Sequence, residues 1–254
     1  MAGSIEVRQY LDRLQVEEAS PPTVEQLAFL HEQHLLRIPF ENLDIHLGVP
    51  IIIDEDEILK KIVEKRRGGF CYELNTAFAW LLRQLGYTVK VFAAEVARAE
   101  GGFGIPFDHM VLHVTLDEPW LVDVGFGDCS RYPLPLMSDV SIEQLGDRYR
   151  FVTEGDWWIL ERSKSDEVDF KLQYRFTLAS HRLSDFDSAC RYHQTSPKST
   201  FTQGPICTRA LPSGRITLTD KKIVTTRHRV RSEEPVRSRS QWVAALEEWF
   251  EIVI

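Results

Sequence analysis

The stretch Arg67-Gly68-Gly69-Phe70-Cys71-Tyr72-Glu73-Leu74-Asn75 constrains this chain more than any other. Two adjacent glycines run directly into a helical pattern. From Cys71 onward, Leu74, Ala77, Phe78, Leu81, Leu82 and Leu85 recur at the spacing of one helix face, and Gly86 stands where a C-terminal cap belongs. Paired glycines before a helix predict either positive φ or a backbone approach too close for a Cβ. A thiol in the first turn faces unpaired N–H groups and the positive end of the helix dipole, and both favour the thiolate. Two roles fit Cys71: a nucleophile, or a small buried apolar residue. Spacing alone leaves both open.

A thiolate nucleophile needs a base and a group that orients the base. Positions 107–116 read as a strand, Asp117-Glu118-Pro119 as a turn, and 120–124 as the returning strand, stopped by Gly125-Phe126-Gly127. Such a hairpin brings His109 and Asp123 to one end, and facing residues in an antiparallel pair have Cβ atoms about 4.5–5.5 Å apart. Asp123 sits between Val122 and Val124, so it is expected to be buried, and a buried carboxylate needs a partner. His113 competes with His109, because both project from the same strand face. His109 is nearer the glycine-rich loop 101–108, which leaves space for a substrate, but periodicity alone does not choose between them.

Taken together, RGGFCYELN, DHMVLHV, VDVGFG and the earlier PFENLDIHLG at 39–48 resemble, in order, the motifs of the arylamine N-acetyltransferases. A weaker echo runs from Thr195-Ser196-Pro197 to Phe201-Thr202. The resemblance implies Cys71 as nucleophile, His109 as base and Asp123 as orienting acid. It implies acetyl-coenzyme A as acyl donor, a small aromatic amine or hydrazine as acceptor, and a role in xenobiotic metabolism. Phe40 and Phe126 would wall the acceptor pocket, Gly127 and Phe201 would touch the coenzyme A arm, and Glu41 would pair with Arg67 to anchor the glycine turn. The fold implied is α+β: an N-terminal helical bundle over 1–86, a central β-barrel-like domain over 87–190 and a C-terminal α/β lid over 191–254, in a papain-like cysteine-transferase architecture. Asp108, beside the catalytic histidine, departs from the pattern. It would either favour an imidazolium or be a solvated loop carboxylate. A thiol hydrolase or an amide synthase could use the same three residues; a binding protein that kept the fold is the reading from another class.

A net charge of −8 argues against a nucleic-acid partner. Any site for an anionic donor must therefore be local; the basic tract 221–239 is one option, and a solvated face balanced by Glu233 and Glu234 is the other. Cys71, Cys129, Cys190 and Cys207 show no short paired spacing, so neither zinc nor any other metal site is expected. The start lacks an apolar signal region, and no run is long enough for a membrane span, which predicts a cytoplasmic protein with free thiols.

Helices are expected at 4–14, with Ile5 as a core position, after Thr23 in a Thr23-x-x-Gln26 capping box, and after Asp54. His31 and His34 fall on the second of these and read as surface residues, and His46 as a local hydrogen-bond partner. Strands are expected at 88–96, as hairpins at 149–153/157–161 and 215–219/222–226, and at 168–178, where strict apolar alternation predicts one buried face. Ser238-x-x-Gln241 opens a final helix whose apolar face runs through Trp242, Leu246, Trp249, Phe250 and Val253. Helices first, strands next and a mixed end describe an α+β chain.

Overall fold

The structure, a computed structural model, describes residues 6–165 and 167–254. Its opening third is helical. The first helix spans Val7–Leu14; Ile5 lies outside the described residues. Thr23 caps Val24–Arg37 by accepting from the Gln26 N–H at 3.2 Å. The box is half made, because the Gln26 side chain turns to Ser20 at 2.8 Å instead. Asp54 caps Glu55–Leu59, which continues as a wider turn over Lys60–Glu64. The Cys71 helix spans Cys71–Gln84 and is buried on almost every side.

Eight strands then form an antiparallel sheet, in the spatial order Leu134–Pro135, Pro119–Val122, His109–Thr115, Thr88–Val96, Lys171–Ser180, Trp157–Ser163, Asp147–Glu154 and Ile142–Gln144. It curls toward closure: a bridge from Ser138 to Phe151 joins its two ends. A second sheet runs Phe40–Glu41, Ile206–Leu211, Gly214–Thr219, Lys222–Arg227 and Val230–Pro235, backed by the helix Arg239–Phe250. The architecture is α+β, as expected: helices, a barrel-like sheet, then a smaller sheet with its helix. Among the described residues, no helix is long and apolar enough to cross a membrane.

Three apolar cores hold these parts. The largest lies among the N-terminal helices, the inner face of the His109 strand and the helix Asp187–Thr195. The second fills the barrel around Phe92, Phe151, Tyr174 and Phe176. The third seats Leu246 and Phe250 on the second sheet. Burial on the 171–180 strand is narrower than the alternation predicted: Tyr174 and Phe176 are buried, while Val168, Leu172 and Leu178 are exposed. Pairing shifts register between Leu160 and Glu161 and between Phe92 and Ala94, so only the middle of the strand lies over the barrel core. The final helix stops at Phe250, with Glu251 left-handed at φ 60, and Val253 is solvent-facing.

Candidate active site

The glycines before Cys71 serve close approach, not positive φ. A Cβ on Gly68 would drive into the Pro39 carbonyl, and one on Gly69 would lie 2.7 Å from Glu73 Cβ. The Glu41 N–H donates to the Gly69 carbonyl at 2.9 Å, which ties this turn to the short Phe40–Glu41 strand. Glu73 then accepts from the Phe70 N–H at 3.1 Å and fixes the helix entry.

The pairing of Glu41 with Arg67 is present, but both guanidinium nitrogens contact one oxygen, Oε1, at 3.0 and 2.8 Å. The other oxygen accepts from the Leu43 N–H at 2.7 Å, and Arg67 spends its remaining reach on Asp44, so the pair is not a two-oxygen fork. The pair belongs to a larger buried cluster. Arg67 also reaches Asp44 at 2.9 Å, and Lys61 bridges Asp44 at 2.7 Å and Glu73 at 2.8 Å. Burial pushes the Glu73 carboxyl up, opposed by Lys61. Burial also works to raise Asp44, but Lys61 and Arg67 outweigh it and hold that group below its ordinary value. Asp44, Lys61 and Glu73 were not legible as partners, because nothing in sequence brings 41–44, 61–67 and 73 together.

Asp123 and His109 are joined: Nε2 lies 2.8 Å from Oδ2, and both residues are buried. They are not facing partners. The return strand ends at Val122, opposite Leu112. Continuing that register sets Asp123 opposite Val111, so it reaches His109 on the diagonal. Three further donors hold its carboxylate: Asn75 at 3.1 Å and the Gly125 N–H at 2.9 Å on Oδ1, and Tyr174 at 3.1 Å on Oδ2. Burial works to raise this group, but His109, Asn75 and Gly125 together keep it below its ordinary range. Asn75 also donates to the Met110 carbonyl at 2.7 Å and accepts from the Val124 N–H at 3.0 Å. It sits one helical turn after Cys71, a spacing that could have marked it. Gly125 has no room for a side chain, since a Cβ there would stand 2.8 Å from Cys71 Cα.

Cys71 and His109 line one cavity of about 730 Å³. Phe40, Phe126, Gly127 and Phe201 line it too, so the structure brings every sequence-derived site residue to this cavity or to its supports. The ring of Phe126 lies 5.2 Å from that of His109, and Phe40 lies 6.0 Å from Phe201. His113 is not part of it; it packs on Phe92 at 5.2 Å. One expectation reverses. Burial pushes the Cys71 thiol up, with Asp108 and Asp123 adding to the effect, despite the helix N-terminus. Asp108 itself is no solvated carboxylate: it lines the cavity and accepts from the Val96 N–H at 3.3 Å.

His31 and His34 are also not surface residues; both are fully buried. His31 sets its ring nitrogens against the carbonyls of Arg131 at 3.0 Å and Asp123 at 3.1 Å. His34 meets Tyr10 at 3.1 Å. His46 meets Asn42 at 3.3 Å, the local contact expected, and also reaches the Phe201 carbonyl at 3.0 Å from far along the chain. Most of the basic tract lies on the exposed hairpin Lys222–Arg227/Val230–Pro235, where Lys222 and Arg231 pair with Glu233.

A family profile described as N-acetyltransferase matches residues 23–254. The curated arylamine N-acetyltransferase / N-hydroxyarylamine O-acetyltransferase of Salmonella typhimurium is 35% identical over 214 residues, covering 83% of this chain and 75% of that one. This chain belongs to the arylamine N-acetyltransferase family. It is an acetyltransferase, and its fold agrees with solved members. An arylamine N-acetyltransferase structure from Salmonella typhimurium superposes with a TM-score of 0.91 at 31% identity, covering 97% of this chain and 90% of that one. The Mycobacterium marinum arylamine N-acetyltransferase in complex with CoA superposes with a TM-score of 0.89 at 29% identity, covering 97% and 93%.

Proposed function

We propose that this chain transfers the acetyl group of acetyl-coenzyme A to an arylamine, arylhydrazine or arylhydroxylamine through an acetyl-Cys71 intermediate. One observation carries the reading: a helix-entry cysteine shares an aromatic cavity with a histidine locked by a buried carboxylate. The named activity of the Salmonella relative and the CoA bound to the M. marinum neighbour support the acceptor and donor classes. The cavity fits both, with Phe40 and Phe126 as flat apolar walls and Gly127 and Phe201 along the donor's arm. In this reading, positions 1–86 supply the thiol, 87–190 the imidazole–carboxylate pair, and 191–254 the opposite wall.

Burial disfavours a free Cys71 thiolate, so ionisation is coupled to His109. With Nε2 committed to Asp123, Nδ1 is the nitrogen left to take the thiol proton. The Cys71 sulfur forms a bond to the thioester carbonyl carbon, and the bond from that carbon to the departing sulfur breaks. His109 returns its proton to the leaving thiolate. The acceptor nitrogen then attacks acetyl-Cys71 and the carbon–Sγ bond breaks. The proton lost by nitrogen passes through His109 to the Cys71 sulfur. Asp123 holds the tautomer and balances the imidazolium at each stage.

Initial rates measured over a grid of acetyl-coenzyme A and aniline-type acceptor concentrations test this order. Parallel double-reciprocal lines are expected. Intersecting lines would contradict an acetyl-enzyme.

A further inference from the structure

The cavity holds a second histidine and carboxylate that the reaction above does not use. His193, on the helix Asp187–Thr195, is buried at 5% exposure and lines the cavity with Cys71 and Asp108. Its Nε2 lies 3.1 Å from Asp108 Oδ1. The approach is too oblique for a hydrogen bond, so among the described residues this buried nitrogen has no hydrogen-bond partner and has the carboxylate's charge beside it. Its Nδ1 lies 3.2 Å from Ser199 Oγ, which accepts from the Phe201 N–H at 3.2 Å. Phe201 stands 5.2 Å from the His193 ring.

We propose that Asp108 and His193 form a second carboxylate–imidazole pair in the catalytic cavity, a positioning pair that sets the charge felt by the Cys71 sulfur. This rests on Cys71 being the reacting thiol. Asp108 directly precedes His109 in the chain, and as an anion it opposes formation of a second anion at Cys71. A proton on His193 cancels that charge without touching His109. Loss of that proton exposes the carboxylate and makes the thiolate harder to form. After burial, Asp108 is the largest influence raising the thiol, ahead of Asp123.

Few other groups compete for this control. The titratable groups influencing the thiol include Asp108, Asp123, Cys190 and the neighbouring Tyr72, with His109 on the same cavity. Around His193 they are Asp108, Tyr72 and Tyr192, the two tyrosine rings lying 6.1 and 5.4 Å away. Of the other charged residues lining the cavity, Arg215 and Asp128 pair with each other at 3.2 Å, and Asp220 also lines it.

The test follows the rate of Cys71 alkylation by iodoacetamide across pH, by mass spectrometry of the intact chain and its peptides. Asp108→Asn should move the Cys71 midpoint down by about half a unit, roughly threefold more thiolate at a fixed pH below it. His193→Gln keeps a donor near Asp108 but cannot carry charge, so it should slow alkylation on the acid side of the profile, where a charged imidazole offsets Asp108, the opposite sense to Asp108→Asn. The double variant should follow Asp108→Asn. A purely structural role predicts shifts in one shared direction, and that result would overturn the inference. The Asp108→Asn arm stands alone if His193→Gln does not fold: an unmoved midpoint there is equally fatal. Absence of alkylation at wild-type Cys71 would remove the nucleophile reading and this inference together, whereas alkylation with unmoved midpoints removes the inference alone.

Discussion

The carboxylate of Asp123 lies 2.8 Å from Nε2 of His109 and reaches it diagonally from just beyond the end of the return strand. Its four donors, His109, Asn75, Gly125 and Tyr174, come from four different segments, so the imidazole is oriented by the barrel sheet and the Cys71 helix together.

Asp123→Asn keeps the shape of the side chain but turns an amide NH2 toward two of its four donors, so it should cost some stability while the chain stays folded, and it should lower acetyl transfer by about 10²–10⁴-fold through loss of the correct tautomer and of the counter-charge. Steady-state rates beside the variant's urea midpoint check this. Retained activity would reduce Asp123 to a cap on the Gly125 turn.

His109→Gln should suppress Cys71 alkylation near pH 6 far more than His113→Gln does. Of these two, His109 lines the cavity, whereas His113 packs against Phe92 and its buried Nδ1 has no partner among the described residues. Equal losses in the two variants would show that the base had been misassigned.

Arg67→Ala should destabilise the chain by about 3 kcal/mol, because it strips cationic partners from the buried Glu41 and Asp44 carboxylates. Activity should fall with it, since Glu41 also holds Gly69. Urea unfolding gives the energy; a change under about 0.5 kcal/mol would mean that Lys61 carries the cluster alone.

His31 links stability to pH. Burial outweighs its two carbonyl contacts and lowers its pKa from 6.5 to about 4. The folded state therefore keeps the ring neutral while the unfolded chain takes up a proton. Between those pH values the unfolded state binds more protons, so stability falls as pH drops through the window. The loss from His31 amounts to about 3 kcal/mol between pH 7 and 4. His31→Asn should be less stable at pH 7 and show a shallower pH dependence, read from urea midpoints at each pH. An equally steep dependence in the variant would contradict this account.

The candidate site was legible where chemistry and local pattern coincide. Cys71 was marked by glycine turn and helix spacing, and Asp123 by a charged position inside an apolar strand. The hairpins at 147–163 and 214–227 were legible because short turns separate β-branched runs. Elements defined only by distant pairing were not. The Phe40–Glu41 strand exists because it pairs with 207–208. His31 and His34 read as surface because histidine is polar, yet they share the buried helix face of Leu27, Leu30 and Leu35, while Glu25 and Phe29 lie on the exposed side. The cavity's Asp108–His193 contact joins a strand start to a helix far along the chain, and no spacing rule reports such a contact. The rise in the Cys71 thiol was missed for a related reason: the dipole can be read from sequence, but the depth of burial cannot.

The central claim is the acetyl-cysteine. Intact-mass and peptide mass spectrometry after exposure to acetyl-coenzyme A, without acceptor, measures it directly. One acetyl group on Cys71 is expected, with none on Cys129, Cys190 or Cys207, and none anywhere in Cys71→Ala. Acetylation that persists in Cys71→Ala, or wild-type protein that stays unmodified while still transferring acetyl groups to an arylamine, would contradict the mechanism.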